Sequence, residues 1–294
     1  MGLEQAGPWD VEREVMVNLG GQLSLLGYSV FGQQFKPGDM IPLTFLWQGL
    51  AELEGEYQLV LWLEDQGGVK RRESRLPLGG DYPPANWEKG QVVRDWQAFL
   101  VPGNLEDGSY RLKMQVLARD RPLLRLYCLL PGGTILDLGR IEMRGRERSF
   151  VVPPIGHPLE IRLGETVRLL GYDLGPTEAR PGGSLHLTLY WQGLGLMHNS
   201  YTIFLHLLDE EGNMRGQRDS EPSQGTLPTS GWVKGEVIID GYEIPIAPDA
   251  SPGQCTISLG MYDADTGERL PVLDAEGNLL GDHISLRGIG LSAE

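Results

Sequence analysis

The chain has 294 residues, among them 41 Gly and 20 Pro, and its 40 Asp and Glu outweigh 25 Lys and Arg to give a formal charge of −15 at pH 7. That excess of acid would repel a phosphate backbone and argues against nucleic acid as a partner, while the Gly and Pro content leaves little room for long helices. No apolar run approaches the roughly 20 residues that cross a bilayer as a helix, and Met1-Gly2-Leu3-Glu4-Gln5 lacks the apolar core of a secretory leader, so a soluble body is expected.

From the N-terminus, Leu25-Leu26-Gly27-Tyr28 leads to the turn Pro37-Gly38-Asp39 and then to a strand with Ile41, Leu43, Phe45 and Trp47 on one side and Leu46 on the other. That period of two marks a half-buried strand. The next strand carries Tyr57, Leu59, Leu61 and Leu63 inward, with Val60 and Trp62 outward. Asp65-Gln66-Gly67-Gly68 closes a hairpin, and Lys70-Arg71-Arg72 reads as a solvated strand beyond it. After the long loop from Leu78 to Asn86 comes Trp87-Glu88-Lys89-Gly90, whose indole is expected to plug an edge. Asp107-Gly108-Ser109-Tyr110 then launches another long strand. Arg144, Arg146 and Arg148 read as solvated linker charge, and Val151-Val152-Pro153-Pro154 as a stiff connector.

Past the connector the chain repeats itself. Leu169-Leu170-Gly171-Tyr172 and Leu187-Thr188-Leu189-Tyr190-Trp191-Gln192-Gly193-Leu194 return 144 positions on (Tyr28 to Tyr172, Trp47 to Trp191), and Trp232-Val233-Lys234-Gly235-Glu236 returns 145 on (Trp87 to Trp232). A period this long is a duplicated domain and not a solenoid repeat. In the second copy Leu185, Leu187, Leu189 and Trp191 face inward, opposite His186, Thr188, Tyr190 and Gln192; Tyr201, Ile203, Leu205 and Leu207 face inward, opposite Phe204 and His206. Seven or eight strands per copy and no helical period predict an all-β protein of two tandem antiparallel β-sandwich domains, residues 1–146 and 147–294, immunoglobulin-like or, alternatively, of jelly-roll order.

The usual catalytic signatures, such as His-Glu-x-x-His, Gly-x-Ser-x-Gly, a phosphate loop or Cys-x-x-Cys, do not occur. All five histidines (His157, His186, His198, His206, His283) lie in the second copy, which removes imidazole chemistry as a reason for keeping both. His186 and His206 share outward parity, but zinc wants three or four ligands and no Cys is near in sequence. Asp263-Ala264-Asp265-Thr266-Gly267-Glu268 alternates acids as a calcium loop does, yet lacks the third ligand position and sits where a hairpin must turn. No metal, no cofactor and no catalytic residue is therefore expected. Cys128 and Cys255 fall at different places in the two copies and read as buried free thiols, an inter-domain disulfide being the alternative. The outward rings Trp62, Tyr190 and Phe204, with His206, are the candidate ligand-binding residues, because such rings stack on sugars or bury against a partner; the same rings would be lost to this role if a loop or the other domain covered them.

The phrases Leu170-Gly171-Tyr172, Pro181-Gly182, Tyr201 to Asp209, Trp232-x-x-Gly235-Glu236-Val237 and Gly260-Met261-Tyr262-Asp263-x-x-Thr266-Gly267-Glu268-Arg269-Leu270-Pro271 resemble a bacterial sandwich module. That module occurs at the soluble, outward-facing ends of membrane glycosyltransferases related to the dolichyl-phosphate-mannose protein mannosyltransferases. The resemblance covers most of the second copy and, more loosely, the first. It implies an extracytoplasmic or cell-surface location, a glycan or protein partner, and tethering to a membrane part not included in this chain. It carries over no catalytic residue, since no segment matches the membrane-embedded catalytic loops. The expectation is thus a non-catalytic module for carbohydrate or protein recognition, accessory to a glycosyltransferase-like protein. A structural spacer or docking platform is the alternative, and a carboxylate-dependent glycoside hydrolase the remote one.

Overall fold

A computed structural model describes residues 10–292 apart from 128–129, 132 and 176–178, and leaves aside the side chains of 72, 126–127 and 130–131. Cys128 lies outside the described residues. The chain divides into two compact units, Met1–Val101 with Leu105–Gly145, and Pro102–Asn104 with Arg146–Glu294.

The first unit holds β1 (Arg13–Leu19), β2 (Leu23–Val30), β3 (Gln34–Phe35), β4 (Met40–Gly49), β5 (Tyr57–Glu64), β6 (Lys70–Pro77), β7 (Val92–Leu100), β8 (Gly108–Ala118), β9 (Arg121–Pro122), β10 (Arg125–Tyr127), β11 (Leu130–Pro131) and β12 (Leu136–Met143). The second holds β13 (His157–Leu163), β14 (Val167–Leu174), β15 (Ser184–Gly193), β16 (Tyr201–Leu208), β17 (Met214–Ser220), β18 (Val237–Pro245), β19 (Gly253–Asp263), β20 (Val272–Leu273), β21 (Leu279–Gly281) and β22 (Ile284–Leu291). In the first unit one sheet runs β11-β10-β1-β2-β4-β7 and the other β3-β12-β8-β5-β6, with β9 on β8. In the second the sheets run β18-β15-β14-β13-β20-β21 and β17-β16-β19-β22.

The long strands therefore repeat one topology: the first three and the sixth share a sheet, and the fourth, fifth, seventh and eighth form the other. Each unit is an all-β sandwich. The strand order is not the immunoglobulin one, in which the first, second, fifth and fourth strands share a sheet. Nor is it that of a jelly roll, because three consecutive long strands stay in one sheet.

Alternation places the cores. Ile41, Leu43, Phe45 and Trp47 pack with Leu59, Leu61, Leu63, Leu112 and Met114 in the first unit. Leu185, Leu187, Leu189 and Trp191 pack with Ile203, Leu205, Leu207, Ile257 and Leu259 in the second. Trp47 and Trp191 are fully buried. Trp87 and Trp232 belong to the same two cores, and each indole N–H finds a carbonyl five residues back, that of Tyr82 at 2.8 Å and of Leu227 at 2.9 Å.

The basic run between the copies is not wholly solvated. Glu236 is fully buried, and its carboxylate pairs with Arg146 at 2.5 Å and with Arg148, both largely buried. A buried carboxylate needs such partners to offset its lost hydration. Burial of Arg146 in turn pushes its pKa down. Cys255 is buried with a free thiol.

Candidate functional site

The four expected ligand residues lie where parity puts them, outside the main cores, yet three are covered. Trp62 is 5 % exposed and packs with Val60 and Leu117 in a small cluster of its own, with the Lys70 ammonium 4.4 Å from its ring centre. Phe204 is 1 % exposed. It lies over Gly260 on the neighbouring strand, where a Cβ would come within 2.6 Å of the ring, and beneath the Arg269 guanidinium at 4.3 Å.

Tyr190 is 8 % exposed and donates to Asp173 Oδ2 at 2.6 Å, while Asp173 Oδ1 accepts from the Gly156 N–H at 2.6 Å. The Tyr190 hydrogen bond holds the Asp173 carboxyl below its ordinary range and raises the phenol in return. Tyr190 is thus a clamp on the connector. His206 keeps partial exposure, with Nε2 3.6 Å from Asp219 Oδ1. A sugar ring needs a free aromatic face, so Trp62, Tyr190 and Phe204 offer no stacking surface as they stand.

The exposed rings are elsewhere. Trp96 on β7 is 64 % exposed and Phe31, just past β2, is 41 % exposed. Their rings are within 15° of parallel with centroids 6.2 Å apart, and the Arg94 guanidinium lies 6.0 Å from the Trp96 ring centre. β7 ends its sheet, and its alternation sends Phe99 and Asp95 inward, so Arg94 and Trp96 face out together. The Trp96 backbone is fixed in register opposite Thr44 of β4.

Asp95 is the reason the pattern is hard to read. It is 3 % exposed on the inward side of the strand and accepts from Trp47 Nε1 at 3.3 Å and Gln97 Nε2 at 2.7 Å. Desolvation raises its pKa despite these donors. Asp240 occupies the same place in the second unit, fully buried, accepting from the Tyr242 hydroxyl at 2.6 Å and the Ser223 N–H at 2.9 Å, and its pKa is raised for the same cause.

Trp96 was accessible from parity, lying opposite Phe99, but a polar residue at Asp95 interrupts the apolar alternation. Repetition gave no second signal either, because the counterpart of Trp96 is Gly241.

The zinc and calcium arrangements are not assembled. His186 is on β15 and His206 on β16, strands of different sheets. Asp263 spends Oδ1 on the N–H groups of Asp265 and Thr266, which is a turn holding itself. Among the described residues no three His, Cys, Asp or Glu side chains gather as a metal site would require. Neither a scan against protein-family models nor a search of curated proteins finds a match to this chain.

Proposed function

We propose that the protein is a non-catalytic recognition module acting outside the cytoplasm, and that its first unit holds carbohydrate against Trp96 and Phe31. The observation that carries this reading is the exposed, nearly parallel ring pair beside Arg94. Pyranose rings present apolar C–H faces that pack on such rings, and a guanidinium supplies donors to the hydroxyls at the edge. The resemblance to glycosyltransferase-associated sandwiches supports the same reading, and the location rests on that resemblance.

A glycan array followed by titration with Trp96→Ala and Phe31→Ala tests it. Loss of Trp96 is expected to weaken binding roughly tenfold or more, as for one ring lost from a stacking contact, with the fold intact because the ring is exposed. An array without signal, or affinity untouched by both changes, removes the reading.

A second reading, docking onto another protein or a membrane-tethered part, draws on the second unit. There Phe150, Val151 and Val152 are exposed in succession, an apolar run of the kind that marks contact surfaces. Hydrophobic-dye binding and light scattering discriminate: a monomer that takes up no dye counts against it.

A further inference from the structure

The loops that precede the two Trp-x-Lys-Gly entries both hand a backbone N–H to the buried aspartate, Gly79 to Asp95 and Ser223 to Asp240. At this step the first unit uses Gly79 and Gly80, with φ of +78° and +52°. The second keeps the left-handed backbone but places Ser223 at +51° and Gln224 at +56°. Glycine adopts such angles freely, whereas a side chain resists them. Strain retained at non-glycine residues points to a use for the side chains.

Gln224 lines a cleft of about 300 Å³ between β17 and β18, with Arg218, Ser220, Gly241, Tyr242 and Glu243. That volume is at the lower end for small-molecule sites. Gly241 takes the place that Trp96 has in the first unit, and nothing stands within 4 Å of where its Cβ would be. Ser220 lines the cleft beside Tyr242, with its Oγ directed at the Tyr242 hydroxyl. The Tyr242 proton is committed to Asp240 Oδ2, and the phenol oxygen accepts from Ser220.

We propose that this cleft binds a neutral, hydroxyl-rich ligand of monosaccharide size. Gln224, exposed at the cleft, both donates and accepts, the Ser220 hydroxyl adds a polar wall beside Tyr242, and Arg218 donates while Glu243 accepts. One guanidinium and one carboxylate balance, which disfavours a ligand of net charge. No exposed ring lines the cleft, so recognition is by hydrogen bonding and not by stacking. The site belongs to the second unit and does not rest on the Trp96 reading.

NMR titration of the isotope-labelled full chain with glucose, galactose, mannose and N-acetylglucosamine tests it. At least one sugar is expected to shift the amides of residues 218–224 and 241–243 saturably. Gln224→Gly, whose backbone accepts the local φ, and Ser220→Ala should each weaken that binding roughly tenfold, the scale of one or two lost hydrogen bonds; Trp96→Ala should leave it unchanged. No saturable shift with any of the four sugars, affinity unaltered in both cleft variants, or binding abolished by Trp96→Ala would overturn the proposal.

Discussion

At the level of single residues, the two buried aspartates show how a polar group is retained inside a sandwich. Asp95 and Asp240 each fix the loop ahead of their strand, and each has a raised pKa because burial penalises the charged form. The folded chain therefore holds protons more tightly than the unfolded one. The associated stability is present in full below the ordinary carboxylate range, falls as pH rises through the raised values, and is gone above them. Asp240→Asn should flatten the fall of unfolding free energy with pH across that window. Urea unfolding at a series of pH values, wild type against variant, checks it; an unchanged slope would show that Asp240 does not titrate with folding. Parity read from sequence assigned Trp47 and Trp191 inward and Trp62 and Phe204 outward. What parity leaves open is whether an outward ring meets water, and here Lys70 lies over one ring and Arg269 over the other.

At the level of elements, the strand entries repeat one device with different chemistry. Gln91 Oε1 accepts from the Glu88 N–H at 2.8 Å in the first unit, and Glu236 Oε2 accepts from the Val233 N–H at 3.1 Å in the second. Only the second needs cations, because only there is the group a buried carboxylate. Glu236→Gln should keep the backbone contact and strand Arg146 and Arg148. Removing one partner of a buried ion pair costs about 3–5 kcal/mol, and about 3 kcal/mol is expected here because both guanidinium groups retain some contact with water. Chemical denaturation measures it, and a cost below about 1 kcal/mol would mean that the cluster behaves as a surface pair. The basic run was visible in sequence, but its partner lies some 90 positions further on and carries no local mark (Arg146 to Glu236).

At the level of the whole molecule, duplication yields two cores, each built around its own tryptophan. Trp47→Ala and Trp191→Ala should each cost about 3–5 kcal/mol through the cavity left behind. Because the two side chains share no packing partner, the double variant should lose the sum of the single losses to within about 0.5 kcal/mol; denaturant titration of all four proteins tests this, and a large coupling would contradict separate cores. The sequence by itself determined the all-β sandwich class and the duplication, because a period of two along strands and a period of 144 to 145 along the chain are properties of the linear order. Only the tertiary structure decided the strand order, the pairing of Glu236, the covering of Trp62, Tyr190 and Phe204, and the exposure of Trp96. Those depend on which distant segments fold against a given face, and alternation along one strand carries no information about what lies across it.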